Sequence, residues 1–205
     1  MKRGRLYVIA APSGAGKTSL LRALMRRRPG LAFSVSCTTR KPRPGEHDGK
    51  DYHFIDREGF ERLAEAGEFI EHANVFGNLY GTRKSVVEAA LAEGRDLVLE
   101  IDWQGAEQVR AHLPDAVQIF VLPPSRAELE ARLRKRGSDS GEAIERRLTE
   151  SAVEMSHWRD FDYVIVNCDF DAALAELEAI FDGHGEDSRA GRPELETLAR
   201  ELLGS

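Results

Sequence analysis

One segment constrains this chain more than any other: a short apolar run that ends in a glycine-rich turn and a lysine. Leu6-Tyr7-Val8-Ile9-Ala10-Ala11 is continuous and apolar, as a buried strand must be, and it stops at Pro12-Ser13-Gly14. Behind the turn, Leu20, Leu21, Leu24 and Met25 recur at helical spacing until Pro29-Gly30 ends them. That order sets Ala11-Pro12-Ser13-Gly14-Ala15-Gly16-Lys17-Thr18 in the context of a P-loop. Glycines let successive backbone N–H groups turn inward around phosphate, and the positive end of the helix adds a favourable field. Lys17 is placed to reach β- and γ-phosphates, and the Thr18 hydroxyl to ligate Mg²⁺. Ala11 stands where the motif begins with glycine, so the match rests on the flanking strand and helix. An ordinary Gly-rich turn is the alternative.

Further apolar runs at Asp96–Ile101, Ala116–Leu122 and Tyr163–Val166 read as strands. Helical patterns lie around Val86–Ala92, Ala106–Leu113, Arg126–Arg136 and Ile144–Met155. This alternation predicts an α/β fold, a P-loop core whose parallel sheet is flanked by helices. At about 150 residues per domain, 205 residues make one domain with an insertion. Ser34–Tyr80 breaks the rhythm with short strand-like pieces and abundant Arg, Gly and Pro, predicting a small β-rich subdomain. Arg136–Glu142 is a Gly-Ser-Asp loop between Arg-bearing helical stretches, suited to the tip of a helical lid. Gly183–Arg192 reads as polar and flexible, and Pro193–Leu203 as an amphipathic end carrying Leu195, Leu198 and Leu202. The expected division is a core of 1–33, 82–125 and 158–182, a subdomain 34–81, a lid 126–157 and a tail 183–205.

Composition excludes several classes. With 29 basic against 35 acidic residues the net charge is −6, which argues against a nucleic-acid partner. No apolar run reaches the roughly 18 residues of a membrane span, and the first strand is too short for a signal-peptide core, so a cytoplasmic location is expected. Cys37 and Cys168 make no disulfide framework or zinc spacing and read as buried or half-buried thiols. His47, His53, His72 and His157 show no metal spacing.

A second constellation, Ser36-Cys37-Thr38-Thr39-Arg40-Lys41-Pro42-Arg43-Pro44-Gly45, packs three cations into four residues stiffened by prolines. Guanidinium groups bind phosphate bidentately, although a solvated basic loop has the same composition. With the P-loop and five further stretches, it makes a pattern spread over Leu6 to about Phe181. These are Gly49-Lys50-Asp51-Tyr52-His53-Phe54, Glu68-Phe69-Ile70-Glu71, Asn78-Leu79-Tyr80-Gly81-Thr82, Leu99-Glu100-Ile101-Asp102-Trp103-Gln104-Gly105 and Val164-Ile165-Val166-Asn167. In this order they resemble the guanylate kinases, nucleoside-monophosphate kinases that phosphorylate GMP with ATP.

The resemblance implies roles residue by residue. Pro12, Ser13, Gly14, Ala15, Gly16, Lys17 and Thr18 match the ATP phosphate loop, joined by Arg132, Arg136 and Asn167. Arg40, Arg43, Tyr52 and Tyr80 match the holders of the GMP phosphate. Glu71 matches the carboxylate that accepts from guanine, and Ser36 and Thr82 match hydroxyls on the base edge. Lys17, Arg40, Arg136 and Arg147 match the cations of phosphoryl transfer. Glu100 and Asp102 match acids at the GMP site, Asp102 near Mg²⁺ as well, through water, and Glu100 near the ribose or base; the division between these two stays open. Cys168 stands where many relatives carry an acid, so a contact beside Asn167 is not implied. Taken without the resemblance, Tyr80 reads as core, Glu71 as a solvated charge, Thr82 as a helix cap and Arg132 as a partner of Glu128.

The implied reaction is ATP + GMP giving ADP + GDP, with dGMP a second acceptor that the residues do not decide. Oligomeric state, monomer or homo-oligomer, is left undecided too. Two rivals stand beside it: a catalytically silent binding module for phosphorylated peptides, and a kinase of another base specificity. Lys17, Thr18, Arg136 and Arg147 count against the first, and Ser36, Glu71 and Thr82 against the second.

Overall fold

A computed structural model of the chain describes residues 3–75, 77–135 and 141–204. In chain order the elements begin β1 (Leu6–Ala10), α1 (Lys17–Arg27), β2 (Ala32–Phe33), β3 (Cys37–Thr38) and β4 (His53–Phe54). They continue with α2 (Arg57–Glu65), β5 (Phe69–Val75), β6 (Asn78–Arg83), α3 (Lys84–Ala92), β7 (Leu97–Glu100) and α4 (Trp103–His112). The last are β8 (Val117–Leu122), α5 (Arg126–Lys135), α6 (Gly141–Ser156), β9 (Tyr163–Val166), α7 (Phe170–Asp182) and α8 (Pro193–Leu203). The chain divides into two compact units, one reaching to Val8 and resuming at Gly30–Val117, the other holding Ile9–Pro29 and everything from Gln118 on.

In the first unit the strand order β2-β7-β1 is parallel where β2 meets β7, with Ala32 opposite Leu97 and Phe33 opposite Val98. The inserted stretch forms its own sheet, ordered β4-β3-β6-β5. β5 and β6 are antiparallel, His72 facing Gly81, with a bulge between Phe69 and Glu71. Against this sheet lies a helix that the sequence reading did not anticipate, α2. Asp56 caps it by accepting from Gly59 N–H at 2.7 Å, a contact typically worth about 1 kcal/mol. Of its residues only Phe60 is buried, stacked on Phe69 at 4.6 Å between ring centres and packed with Cys37. Burying one such ring contributes roughly 1.5–3 kcal/mol, and Leu63 and Ala64 on the same helix face pack against the same cluster. The inserted stretch thus combines a small sheet with a helix packed on it.

In the second unit the end of β1 is followed by β8 and β9, a parallel pair in register from Ile119 opposite Tyr163 to Leu122 opposite Val166. Apolar strands of this kind need cover, and α1 packs on α7 while α6 packs on α5 and α8. α7 is another helix absent from the sequence reading, capped by Asp169 at its start and stopped by Gly183 at φ 82°. Its Glu178 and Asp182 pair with Arg27 and Arg28, which ties down the basic end of α1.

Two expectations need correcting here. The run 183–192 is not a loose polar linker. It makes a short 3-10 turn whose buried Ser188 hydroxyl donates to Glu176 at 3.0 Å, and Arg192 donates to the Val164 carbonyl at 2.8 Å. Cys37 is buried as expected, whereas Cys168 is exposed. Among the described residues no helix is long and apolar enough to cross a membrane.

Candidate active site

The phosphate loop lies within the second unit. Gly14 and Gly16 have φ 96° and 97°, a region that favours glycine, so the loop folds back on itself before α1 begins at Lys17. A Cβ on Gly16 would meet Asn167 Nδ2 at 2.4 Å, so this residue is also required by close approach. The Asn167 amide donates to the Ala15 carbonyl at 2.7 Å, and Arg132 Nη1 donates to the same oxygen at 3.4 Å. Arg132 also donates to Asn167 O at 3.1 Å and, through Nε, to Glu128 at 2.8 Å. Asn167 and Arg132, expected to contact ATP, brace the loop in this structure, and the predicted Arg132–Glu128 pair forms as well.

No side chain caps α1 and its first turn holds no acid, so its N-terminal amides suit an anion. Lys17 is half-buried at the helix start and Thr18 is exposed. Ser13 N–H donates to Glu154 Oε2 at 3.2 Å, a contact from α6 that sequence reading missed. Arg147 is half-buried on α6; Arg136 lies outside the described residues.

The second cluster lies within the first unit. Arg40 forms a forked pair with Glu46, both N–O distances 2.9 Å, and sits over the rings of Tyr52 and Phe54 at 5.2 and 5.8 Å. It also hydrogen-bonds the Tyr80 hydroxyl, and the Tyr80 ring meets Tyr52 edge-on at 5.8 Å. The Arg40 guanidinium holds the Glu46 carboxyl below its usual range, and Glu46 accepts from Arg43 N–H at 2.7 Å. Glu46 thus fixes both ends of the basic loop. Its only sequence signal is an acid just after Pro44-Gly45, too weak to read without the fold. The Arg43 side chain is exposed. Burial pushes the Tyr52 phenol up, and the charge of Glu100 adds to this.

Glu71 is the unusual member. It is 3% exposed, so it is neither a solvated charge nor an apolar core residue. It accepts hydrogen bonds from the Thr82 hydroxyl and N–H, and Ser36 Oγ lies 3.4 Å from Thr82 Oγ1. Burial raises its pKa from 4.5 to about 7; Asp102 pushes the same way and the Thr82 bonds oppose. Thr82 is buried in β6 and does not cap α3, whose preceding residue is Arg83. Tyr80 is half-exposed and so not core. Asp102 caps α4, accepting from Gly105 N–H at 2.9 Å and from Gln104 Nε2 at 3.0 Å. Of the expected residues in this unit, the structure brings Ser36, Glu71 and Thr82 into one hydrogen-bonded group and Arg40, Tyr52 and Tyr80 into another.

A glycine-rich loop opening a helix after a buried strand, and a buried carboxylate with a cation–phenol cluster, define an α/β P-loop protein built to handle nucleotides. Residues 3–184 match the family model for guanylate kinase. A guanylate kinase of Alkalilimnicola ehrlichii is 54% identical over 201 residues, 98% of this chain and 99% of that one. One from Thiobacillus denitrificans is 56% identical over 177 residues, 86% and 85% of the two chains. The crystal structure of guanylate kinase from Anaplasma phagocytophilum superposes with a TM-score of 0.72 at 36% identity, covering 98% of this chain and 95% of that one. A crystal structure of an uncharacterized protein from Eubacterium ventriosum, 15% identical with a TM-score of 0.51, shares the fold alone. The chain belongs to the guanylate kinase family, the phosphotransferases that convert GMP to GDP with a phosphoryl group from ATP.

Proposed function

We propose that the two clusters divide the substrates. The phosphate loop, Pro12 to Thr18 with Asn167 and Arg132 behind it, takes ATP. Ser36, Arg40, Arg43, Tyr52, Glu71, Tyr80, Thr82, Glu100 and Asp102 take GMP. The observation that carries this is the buried Glu71 carboxylate. Guanine offers a ring N–H and an exocyclic amino group side by side, a donor pair that one carboxylate accepts at once. Adenine lacks it and would leave Glu71 desolvated and unpaired. Since the ribose 2′-hydroxyl is not needed for this reading, dGMP is proposed as a second acceptor.

Arg40, Tyr52 and Tyr80, with Arg43, suit a dianionic phosphate, which competes with Glu46 for the Arg40 fork. In the transfer, a GMP phosphate oxygen bonds to the γ-phosphorus as the bond to the β–γ bridging oxygen breaks, leaving ADP. No covalent enzyme intermediate is required. Lys17, Arg40, Arg136 and Arg147 supply positive charge to the equatorial oxygens. Among the described residues no three His, Cys, Asp or Glu side chains cluster for a metal. Mg²⁺ would be held with the ATP phosphates by oxygen donors from Thr18 and, through water, Asp102. It would neutralise charge on the phosphates.

We read 34–81 as the GMP-binding subdomain and 126–157 as a lid that excludes water once both nucleotides are bound. With nucleotides as substrates we place the enzyme in the cytoplasm.

The pH dependence of GMP use tests the base reader. Guanine needs the ionised carboxylate, while free Glu71 holds a proton up to about pH 7. KM for GMP therefore rises by about tenfold per unit as pH falls below that point and levels above it. In Glu71→Gln this inflection disappears and only the titration of the GMP phosphate remains. An inflection that persists in Glu71→Gln contradicts the assignment. The unliganded fold shows the opposite trend. Its raised pKa holds a proton that the unfolded chain gives up near 4.5, so stability falls as pH rises from there through about 7.

A further inference from the structure

We propose that Gln108 is a positioning residue for guanine specificity: its carboxamide occupies the open edge of β5 at His72 and so holds the adjacent Glu71 in place. The proposal rests on the reading of Glu71 as the acceptor of guanine.

β5 ends its sheet, and among the described residues no strand of that sheet lies beyond it. At His72 the place of a missing strand is taken by one side chain. Gln108 Oε1 accepts from His72 N–H at 3.0 Å, and Gln108 Nε2 donates to His72 C=O at 2.8 Å. A primary amide presents the same donor and acceptor as a peptide group, so Gln108 completes the ladder for one residue. It is tied to its own helix too, since Nε2 also reaches Gln104 O at 3.3 Å.

The location matters because the strand is irregular just there. The register of β5 against β6 slips between Phe69 and Glu71, and a bulge re-aims the side chains beside it. The ladder alone thus leaves the direction of Glu71 weakly specified, and α4 supplies the missing constraint. Gly105 and Gln108 lie three residues apart, on one helical face. Gln108 fixes the backbone of residue 72. Gly105 forms the wall for residue 71, because a Cβ there would stand 2.6 Å from Glu71 Oε2. Asp102 sets the start of the same helix through Gly105 N–H. Glu71 is thereby held from three directions: Thr82 by hydrogen bonds, Gly105 by contact, and Gln108 through the neighbouring peptide.

The test compares full-length wild type with Gln108→Met, a side chain of similar length that pairs with neither backbone group. The acceptors are GMP and inosine 5′-phosphate, which lacks the exocyclic amino group. A displaced carboxylate loses its second contact first. In Gln108→Met, KM for GMP rises about tenfold, kcat and KM for ATP stay within about threefold, and the GMP-to-inosine-phosphate ratio of kcat/KM falls about tenfold. General loosening of the fold would lower both acceptors alike and leave the ratio at the wild-type value, which overturns the proposal. Gln108→Glu, which still accepts from His72 N–H but opposes its carbonyl, gives an intermediate ratio and serves if the Met variant does not fold. A wild-type ratio in the Glu variant is equally contrary. Glu71→Ala runs alongside. If it leaves the ratio unchanged, the base-reader assignment itself has failed and the proposal falls with it. If it collapses the ratio while Gln108 variants do not, only the positioning role has failed.

Discussion

Lys17→Ala is expected to lower kcat by about 10³-fold or more while the protein remains folded. Lys17 is the first residue of α1, beside Gly16 at φ 97°, at the end of a helix whose amides carry no side-chain cap. In the proposed site its ammonium is the one loop charge that follows the γ-phosphoryl group as negative charge redistributes. The backbone N–H groups that cradle phosphate survive the substitution, so ATP still binds, more weakly, and the loss falls mainly on kcat. Leu20, Leu21 and Leu24, which anchor the helix, are untouched. Steady-state turnover at saturating ATP, with a thermal melt to confirm folding, measures this. A folded variant within tenfold of wild type would mean that the loop does not do the chemistry.

Glu71→Ala is expected to lower kcat/KM for GMP by about 10³- to 10⁴-fold, with KM for ATP little changed. A buried site that must accept two guanine protons loses both partners at once, and the donors of GMP are then buried without acceptors. Stability moves little in comparison. The side chain removed is one that burial already disfavours in its charged form, and Thr82 keeps Ser36 as a neighbour. Parallel GMP kinetics and thermal melts separate the two effects. Unchanged GMP kinetics would remove Glu71 from the site.

How much of this could be read without coordinates depends on where each signal lies. β1, β7, β8 and β9 announce themselves as short apolar runs, because strands covered on both faces need little else. The phosphate loop is equally local: glycines, lysine and helix follow one another within a dozen residues. α2 was missed because its apolar face, Phe60, Leu63 and Ala64, spans little more than one turn, and its cap, Asp56, is one acid among many. α7 did carry a signal, Asp169 followed by Ala173, Leu174 and Leu177, all of which are buried. Gly183–Arg192 read as loose because its anchors, Glu176 and Val164, are set by the fold rather than by its own composition.

In the site, Glu71 and Thr82 were named from a motif, but only packing shows that the carboxylate is buried and its pKa raised. Glu46 and Gln108 escaped for another reason. The main partner of each is chosen by geometry, Arg40 six residues away and His72 thirty-six residues away. Asn167 and Arg132 show the converse: the motif named them as ATP contacts, and in the structure both side chains bond the Ala15 carbonyl of the loop.

The most direct test follows ADP release from Mg·ATP with GMP, AMP, CMP and UMP offered separately to the purified protein. Rapid turnover with GMP, and rates with the other three lower by about 10³-fold or more, is the predicted result. Comparable turnover with AMP or UMP, or tight GMP binding with no turnover at all, would contradict it.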